Sequence, residues 1–242
     1  MLLSQPRWLF SVAAHLFPGA LYAVKLQPSQ KIVALTIDDG PSSATQDILA
    51  VLEQYKVKAT FFNISGHLPS HEETVRQAIA NNHEIGNHLT ADTASIKLPP
   101  NQFESNLLSA ERELRSLHPL PEQTTLKWLR PGVGFYNSRM VETAKRHGYQ
   151  IVLGSTFPYD THISSSQFAS AFILHTVQPG DIIVLHDGEN GRGDRTIQTL
   201  KRILPALQAK GYTLTTISNL TKTHTSESTI KSDKKLKRNH PH

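Results

Sequence analysis

The sequence predicts an α/β fold built around a parallel β-sheet. From residue 32 onward, strand-like and helix-like patterns alternate, with about seven strand–helix units in roughly 190 residues, and repeated units of this kind are typical of parallel sheets. The first strand, Ile32 to Ile37, is apolar or β-branched throughout, as expected of a strand that is buried on both faces. These observations leave an open sheet and a closed barrel as alternatives.

The individual elements follow from apolar spacing and from turn residues. The helix at 103–117 carries apolar residues on one face, and Gly148 and Gly211 stand where glycine commonly ends a helix. A closed barrel normally needs eight units and about 250 residues, so seven units in a shorter chain favour an irregular barrel. Helices are predicted at 45–55, 71–81, 103–117, 137–147, 168–176 and 196–210, and strands at 32–37, 59–64, 84–87, 127–130, 149–153, 181–185 and 212–217.

The two ends of the chain differ from the predicted domain at 31–218. Residues 1–30 are compatible with a signal peptide or with a short helix that leads into a strand at 20–26. Their apolar run is too short and too broken to span a bilayer, so membrane contact is not expected. Residues 219–242 carry four of the five net positive charges, and their polar composition predicts a disordered tail. Because the rest of the chain is almost neutral, no nucleic-acid partner is expected.

Two adjacent acids end the first strand. Asp38 and Asp39 follow Ile37, and Gly40 and Pro41 then turn the chain toward a helix. Such a turn is ordinary by itself, but a buried strand that delivers two carboxylates to one point favours a cation or a substrate there. The chain has no cysteine, so a metal ion would be held by histidine and carboxylate.

Five segments together resemble the motifs of the polysaccharide deacetylases, carbohydrate esterase family four. The resemblance covers about residues 32–217 and implies a distorted (β/α) barrel of about seven parallel strands. It also implies a metal-dependent hydrolase that removes N-acetyl groups from amino sugars in a glycan or oligosaccharide. The matching segments, in motif order, are Thr36 to Pro41, His83 to Asp92, Leu129 to Asn137, Phe157 to Asp160 and Ile182 to Gly188.

The resemblance implies a metal site formed by Asp39, His88 and Asp92. The family's second motif has two metal-binding histidines four residues apart; His88 matches the first, and Asp92 stands at the second. Residues four apart lie on one face of a helix, and aspartate is an established zinc ligand. Asp92 is therefore expected to replace the histidine, with a helix-capping role as the alternative. Zinc is the expected ion, and manganese, cobalt and nickel are the alternatives.

The resemblance also implies catalytic roles for five residues. Asp38 would be the general base, paired with Arg130, and the backbone N–H of Val133 would stabilise the oxyanion. His186 would be the general acid, and Asp160 would orient it. Val133 stands in place of the family's usual tyrosine and Gly132 in place of a proline, so the substrate groove is expected to differ.

The candidate residues share a position relative to the predicted strands. Each follows the carboxyl end of a strand, and in a barrel those ends lie on one face. A phosphorylation-driven receiver domain also has an acid pair after its first strand, but it needs a lysine after the fifth, and residues 153–162 contain none. Two alternatives to the deacetylase remain: a catalytically impaired carbohydrate-binding module with the same fold, because Asp92 alters the metal site, and an O-acetyl esterase, because the same site attacks either carbonyl.

Overall fold

The computed structural model of this chain describes residues 12, 15, 18–119 and 126–223. The signal peptide considered within 1–30 and the predicted tail at 219–242 lie mostly outside these residues. None of the described helices combines the length and the apolar character that crossing a bilayer requires.

The described strands form one eight-stranded sheet in which all paired strands run parallel. This confirms the predicted α/β fold; the strand beyond the predicted seven is the two-residue β1, which pairs with β6. Neighbours follow the order β1-β6-β5-β4-β3-β2-β7, and β8 pairs with β2. The strands are β1 (Ala20–Leu21), β2 (Ile32–Gly40), β3 (Thr60–Asn63), β4 (Glu84–Asn87), β5 (Trp128–Leu129), β6 (Gln150–Val152), β7 (Ile182–His186) and β8 (Thr213–Thr215).

The helices between the strands lie within a few residues of their predicted positions. The exception is the last of them, α6, which begins at Arg192 instead of residue 196. Glycine usually disfavours a helix, but Gly193 suits its first turn because a Cβ there would lie 2.2 Å from the Cβ of Ala44. The helices are α1 (Thr45–Gln54), α2 (Glu72–Ala80), α3 (Pro100–Ser116), α4 (Ser138–Arg146), α5 (Ser166–Thr176) and α6 (Arg192–Ala209).

Strand β2 is buried on both faces, as its composition predicts. Side chains alternate between the two faces of a strand, and Val33, Leu35 and Ile37 join the larger apolar cluster with residues of the helices. Ala34 belongs to a second cluster that also contains Phe62. Burial on both faces and pairing with β3, β7 and β8 make β2 the centre of the fold.

The strand register brings distant motifs together at the carboxyl ends of the strands. Asp38 of β2 is directly opposite Phe62 of β3 on one side and His186 of β7 on the other. After β6, an isolated parallel bridge joins Thr156 to Ile183, so the following loop lies beside the end of β7. The candidate residues of several strands therefore meet on one face of the sheet.

Candidate active site

A cavity of about 500 Å³ opens at the carboxyl ends of the strands. Seven of the eight predicted site residues line it, and the eighth, Asp160, contacts His186 from behind. Arg192 also lines the cavity, although the sequence analysis did not single it out. The seven are Asp38, Asp39, His88, Asp92, Arg130, Val133 and His186.

Asp38 is held by a buried arginine. The Nη1 atom of Arg130 donates to Oδ1 of Asp38 at 2.6 Å, and both residues are 3% exposed. The same guanidinium donates to Thr36 Oγ1 at 2.7 Å and to the Val152 carbonyl at 3.1 Å, and it lies 4.1 Å from the ring centroid of Phe62. Charge-assisted bonds in a dry site are short and directional, so Arg130 fixes the orientation of the Asp38 carboxylate.

His186 is oriented by Asp160. The carboxylate of Asp160 accepts from the backbone N–H of His186 at 2.9 Å and pairs with its Nδ1 atom at 3.0 Å. Burial lowers the pKa of His186, but the charge and hydrogen bond of Asp160, with the charges of Asp38 and Asp39, outweigh burial and raise this pKa to about 9. The raised pKa favours the protonated imidazolium, the form of a proton donor.

Asp39 and His88 face each other across the cavity floor. The Nδ1 atom of His88 donates to the Arg130 carbonyl at 2.6 Å, and its Nε2 atom lies 3.1 Å from Oδ1 of Asp39. Burial raises the pKa of Asp39, but the hydrogen bond from His88 and the charges of His88, His186 and Arg192 outweigh burial and lower this pKa to about 2. Burial also lowers the pKa of His88, yet its bond to Asp39 and the nearby carboxylates give a net rise.

The Asp39–His88 pair has the chemistry of two metal ligands. Because Nδ1 of His88 uses its proton on a backbone carbonyl, the lone pair of Nε2 points at a carboxylate, and a proton or a metal cation must lie between them. This is how metal-binding histidines are usually supported. Two donors of the predicted set therefore fit a divalent cation.

Asp92 does not join this pair. The expected helix between His88 and Asp92 is absent, because Leu89 has a φ of 65° and residues 88–94 are not helical. Asp92 is exposed in the loop that follows β4. Within the described residues, no three histidine or acidic side chains are grouped so that they could hold a metal ion. The expected helical spacing from His88 to Asp92 is therefore wrong, but Asp92 lines the same cavity as Asp39 and His88, and its role as a third metal ligand stays a prediction.

Arg192 binds the other oxygen of Asp39. Its Nη1 atom donates to Oδ2 at 2.6 Å, and its side chain is 31% exposed, against 10% for that of Asp39. Sequence analysis missed this residue because a single arginine in a glycine-containing loop is unremarkable in composition. The only available signal was its position six residues after His186.

The turn that carries Val133 is close-packed and strained. Val133 lies at φ 55° and is 60% exposed, a conformation that is unfavourable for a β-branched residue. A Cβ at Gly132 would lie 2.1 Å from the Thr93 carbonyl oxygen, and the Gly132 N–H donates to Ser95 Oγ at 2.8 Å. Glycine thus replaces the family's proline where the turn contacts the loop that bears Asp92.

Half of the described non-glycine residues with positive φ belong to the five motifs. Asp39, Leu89, Val133 and Tyr159 all have φ between 55° and 65°, and each is in, or directly beside, one of the five motifs. Such conformations carry a free-energy penalty of about 1–3 kcal/mol each and are maintained by surrounding structure, often at functional sites.

A fully buried acid braces the end of β2. Asp187 follows His186 and accepts from Ser42 Oγ at 2.6 Å, from the Gly188 N–H at 2.7 Å and from Thr45 Oγ1. These bonds tie the turn after Asp39 to the end of β7. The sequence analysis gave Asp187 no role, because Ser42 and Thr45 lie more than 140 residues away in the chain.

Known proteins with similar sequences and folds include several carbohydrate deacetylases. A family model described as polysaccharide deacetylase matches residues 25–152. The chain is 33% identical over 216 residues to a peptidoglycan-N-acetylglucosamine deacetylase of Bacillus cereus, with 85% of this chain and 95% of that one covered. It is 30% identical over 191 residues to a chitooligosaccharide deacetylase of a Bradyrhizobium species, with 74% and 86% covered.

The fold agrees with these relatives. A crystal structure of a peptidoglycan N-acetylglucosamine deacetylase is 25% identical to this chain and superposes with a TM-score of 0.77, covering 86% of this chain and 94% of the other. Although strand pairing does not close the sheet, its architecture is the distorted barrel of this neighbour. The barrel chosen in the sequence analysis is thus confirmed.

Proposed function

Because the chain belongs to the polysaccharide deacetylase family, we propose that it is a hydrolase that removes N-acetyl groups from amino sugars in a glycan or oligosaccharide. The observation that carries this proposal is that a carboxylate and an imidazole, each held by its own partner, face each other in one cavity. Asp38, held by Arg130, lies 4.0 Å from the Nε2 atom of His186, which Asp160 holds. The names of the peptidoglycan and chitooligosaccharide deacetylases support the substrate class.

The chemistry that we propose uses these groups as base and acid. A water molecule attacks the acetyl carbonyl carbon, and its proton passes to Asp38. The N–H of Val133 donates to the oxyanion that develops on the carbonyl oxygen. The C–N bond then breaks, and the imidazolium of His186 gives its proton to the departing nitrogen. The products are acetate and a free amino sugar.

We propose that the reaction also depends on a divalent metal ion. Asp39 and His88 are the donors that fit it, and Asp92 is the third candidate donor, which would have to approach from its exposed loop. When bound there, a metal ion would supply Lewis acidity toward the acetyl oxygen and the attacking water. Zinc suits the nitrogen and oxygen donors, and manganese, cobalt and nickel also accept them.

The other two functions considered from the sequence have less support. The related deacetylases do not favour a catalytically impaired binding module or an O-acetyl esterase. The buried Asp38–Arg130 and His186–Asp160 pairs also retain both groups that acid–base hydrolysis needs.

Acetate release from N-acetylglucosamine oligomers and peptidoglycan fragments tests the proposal, with acetylated xylan as the ester substrate. Each reaction is run with zinc, cobalt, manganese or a chelator. We expect metal-dependent release from the N-acetylated substrates and a loss of about 10²–10⁴-fold in Asp38→Asn. Asp47→Asn, which removes an exposed acid of α1, is the matched control and should keep full activity.

The outcomes separate the three functions. Release from xylan alone would replace the amidase with an esterase. Absence of release from every substrate, together with retained binding of the oligomers, would instead establish a binding module. Equal activity in Asp38→Asn and Asp47→Asn would remove Asp38 from the mechanism.

A further inference from the structure

The two carboxylate oxygens of Asp39 contact two different basic residues. His88 faces Oδ1 at 3.1 Å, and Arg192 donates to Oδ2 at 2.6 Å. Arginine stays protonated at every pH a folded protein tolerates. One oxygen of the best candidate metal ligand is therefore bound to a permanent cation that belongs to the chain.

The backbone of Arg192 is held in place by packing. Arg192 is the first residue of α6, and the next residue, Gly193, donates its N–H to the Gly188 carbonyl at 2.9 Å. Gly193 also allows the helix to approach Ala44, the residue before α1, since a Cβ there would lie 2.2 Å from the Ala44 Cβ. The start of α6 is thus docked beside the turn that follows Asp39, and Arg192 is directed toward that carboxylate.

The side chain of Arg192 is nonetheless free to leave. It is 31% exposed and lines the open cavity, whereas Arg130, the other site arginine, is buried with several partners. A partly exposed ion pair is weak, because water and salt compete with it. Arg192 can therefore give up Asp39 without a large change in the fold.

Each carboxylate of Asp38, Asp39 and Asp160 already has a basic partner without a metal ion. Asp38 pairs with Arg130, Asp160 pairs with His186, and Asp39 pairs with Arg192. The third predicted donor, Asp92, remains exposed. A divalent ion that binds Asp39 and His88 must therefore compete with a cation already in contact with Asp39.

We propose that Arg192 competes with divalent metal ions for Asp39 and so lowers the metal affinity of the site. The proposal rests on the proposed function only in that Asp39 and His88 are the metal-binding pair. Binding of a metal ion would displace the guanidinium from Oδ2 into the cavity, and removal of the metal would allow it to return.

Zinc affinity of three single variants tests this proposal. Zinc is titrated into the metal-free protein in competition with a chromophoric chelator, so that the readout is a dissociation constant and not turnover. Arg192→Gln removes the cation, Arg192→Lys keeps a positive charge, and Arg202→Gln removes an exposed arginine on the same helix away from the cavity. Thermal unfolding of each variant checks that the fold is intact.

We expect Arg192→Gln to bind zinc about fivefold more tightly than the natural chain, the upper end of what a partly exposed ion pair contributes. Arg192→Lys and Arg202→Gln should stay within about twofold to threefold of the natural chain on the same grounds. Adding Asp39→Asn to Arg192→Gln should abolish the gain, which locates the effect at this carboxylate.

Two results would overturn the inference. One is equal zinc affinity in Arg192→Gln and the natural chain; the other is failure of both proteins to bind zinc, since removal of the cation would then expose no metal site. Unchanged zinc affinity in Arg192→Gln, together with intact N-deacetylation, would overturn this inference and leave the proposed function standing. Conversely, tighter binding in Arg192→Gln by a chain that releases no acetate would support the inference and sink the proposed function.

Discussion

His186 Nε2 lies 4.0 Å from Asp38 Oδ2, and the two residues are directly opposite each other on neighbouring parallel strands. The pairing of β2 with β7 therefore sets the distance between the proposed base and acid. Their supports come from elsewhere, since Arg130 follows β5 and Asp160 lies in the loop after β6. Each supporting residue can be changed without replacing a residue of the strand pair, and this makes the roles separable.

The first prediction concerns the pH dependence of turnover. Because the pKa of His186 is raised to about 9, the proton donor is present at neutral pH and is lost as the pH rises through about 9. Asp160→Asn removes the charge and leaves one acceptor oxygen where the carboxylate offers two, so the alkaline limb of the pH–kcat profile should move down by about one unit or more. An unmoved limb would show that Asp160 does not set the protonation of His186.

The second prediction concerns the buried Asp38–Arg130 pair. Arg130→Met leaves the Asp38 carboxylate buried without its cation, and we expect the free energy of unfolding to fall by about 3–5 kcal/mol. The double variant Asp38→Asn/Arg130→Met should recover part of that stability but none of the activity. Urea unfolding of the two single variants and the double variant measures the coupling. Additive losses of stability would contradict a direct interaction between the two side chains.

The third prediction concerns the strained turn. Val133→Gly removes the strain of a left-handed conformation in a β-branched residue. The greater conformational entropy that glycine gives the unfolded chain offsets part of this gain in stability. We expect a net gain of about 1 kcal/mol in stability and turnover close to that of the natural chain, because the backbone N–H is kept. Gly134→Ala is the matched control.

Gly134 adopts a φ of 71° with no heavy atom within 4 Å of an added Cβ. Its alanine variant therefore tests conformational strain alone, and it should lose about 1 kcal/mol. A loss of stability in Val133→Gly would mean that the valine side chain contributes contacts that outweigh its strain. A large loss of turnover in Val133→Gly would assign the side chain a part in substrate binding.

The fourth prediction concerns the acid sensitivity of the fold. His83 accepts from the Ala59 N–H at 3.1 Å, and burial, followed by the charge of Lys58, lowers its pKa to about 4. The unfolded chain takes up this proton near the ordinary pKa of about 6.5. The stabilisation is therefore complete above pH 6.5 and is lost as the pH falls from there toward 4, by an amount on the order of 2–3 kcal/mol.

His83→Asn provides the comparison for this prediction. Asparagine keeps an acceptor near the position of Nδ1 but does not titrate, so its unfolding free energy should vary less between pH 7 and pH 4. If the unfolding free energy falls equally with pH in the natural chain and in the variant, the acid sensitivity belongs to other groups.

Much of the site could be predicted from the sequence because its residues end strands. An apolar run indicates a buried strand, and the polar residue that follows must lie at its carboxyl end; this reasoning found Asp38, Arg130 and His186. The separate expectation of helical spacing from His88 to Asp92 was wrong. A left-handed Leu89 prevents the helix there, and no local pattern indicated that conformation.

The sequence by itself determined the α/β fold, the order of its strands and helices, and which polar residues lie at the strand ends. Each of these depends on neighbours within a few positions, so local patterns carry the information. Only the tertiary structure decided the partners of those residues. Arg192 reaches Asp39 across 153 positions of sequence, because Gly193 lets α6 pack closely beside Ala44 at the start of α1. Such a contact is a property of how helices pack, and it leaves no periodic signal in the chain.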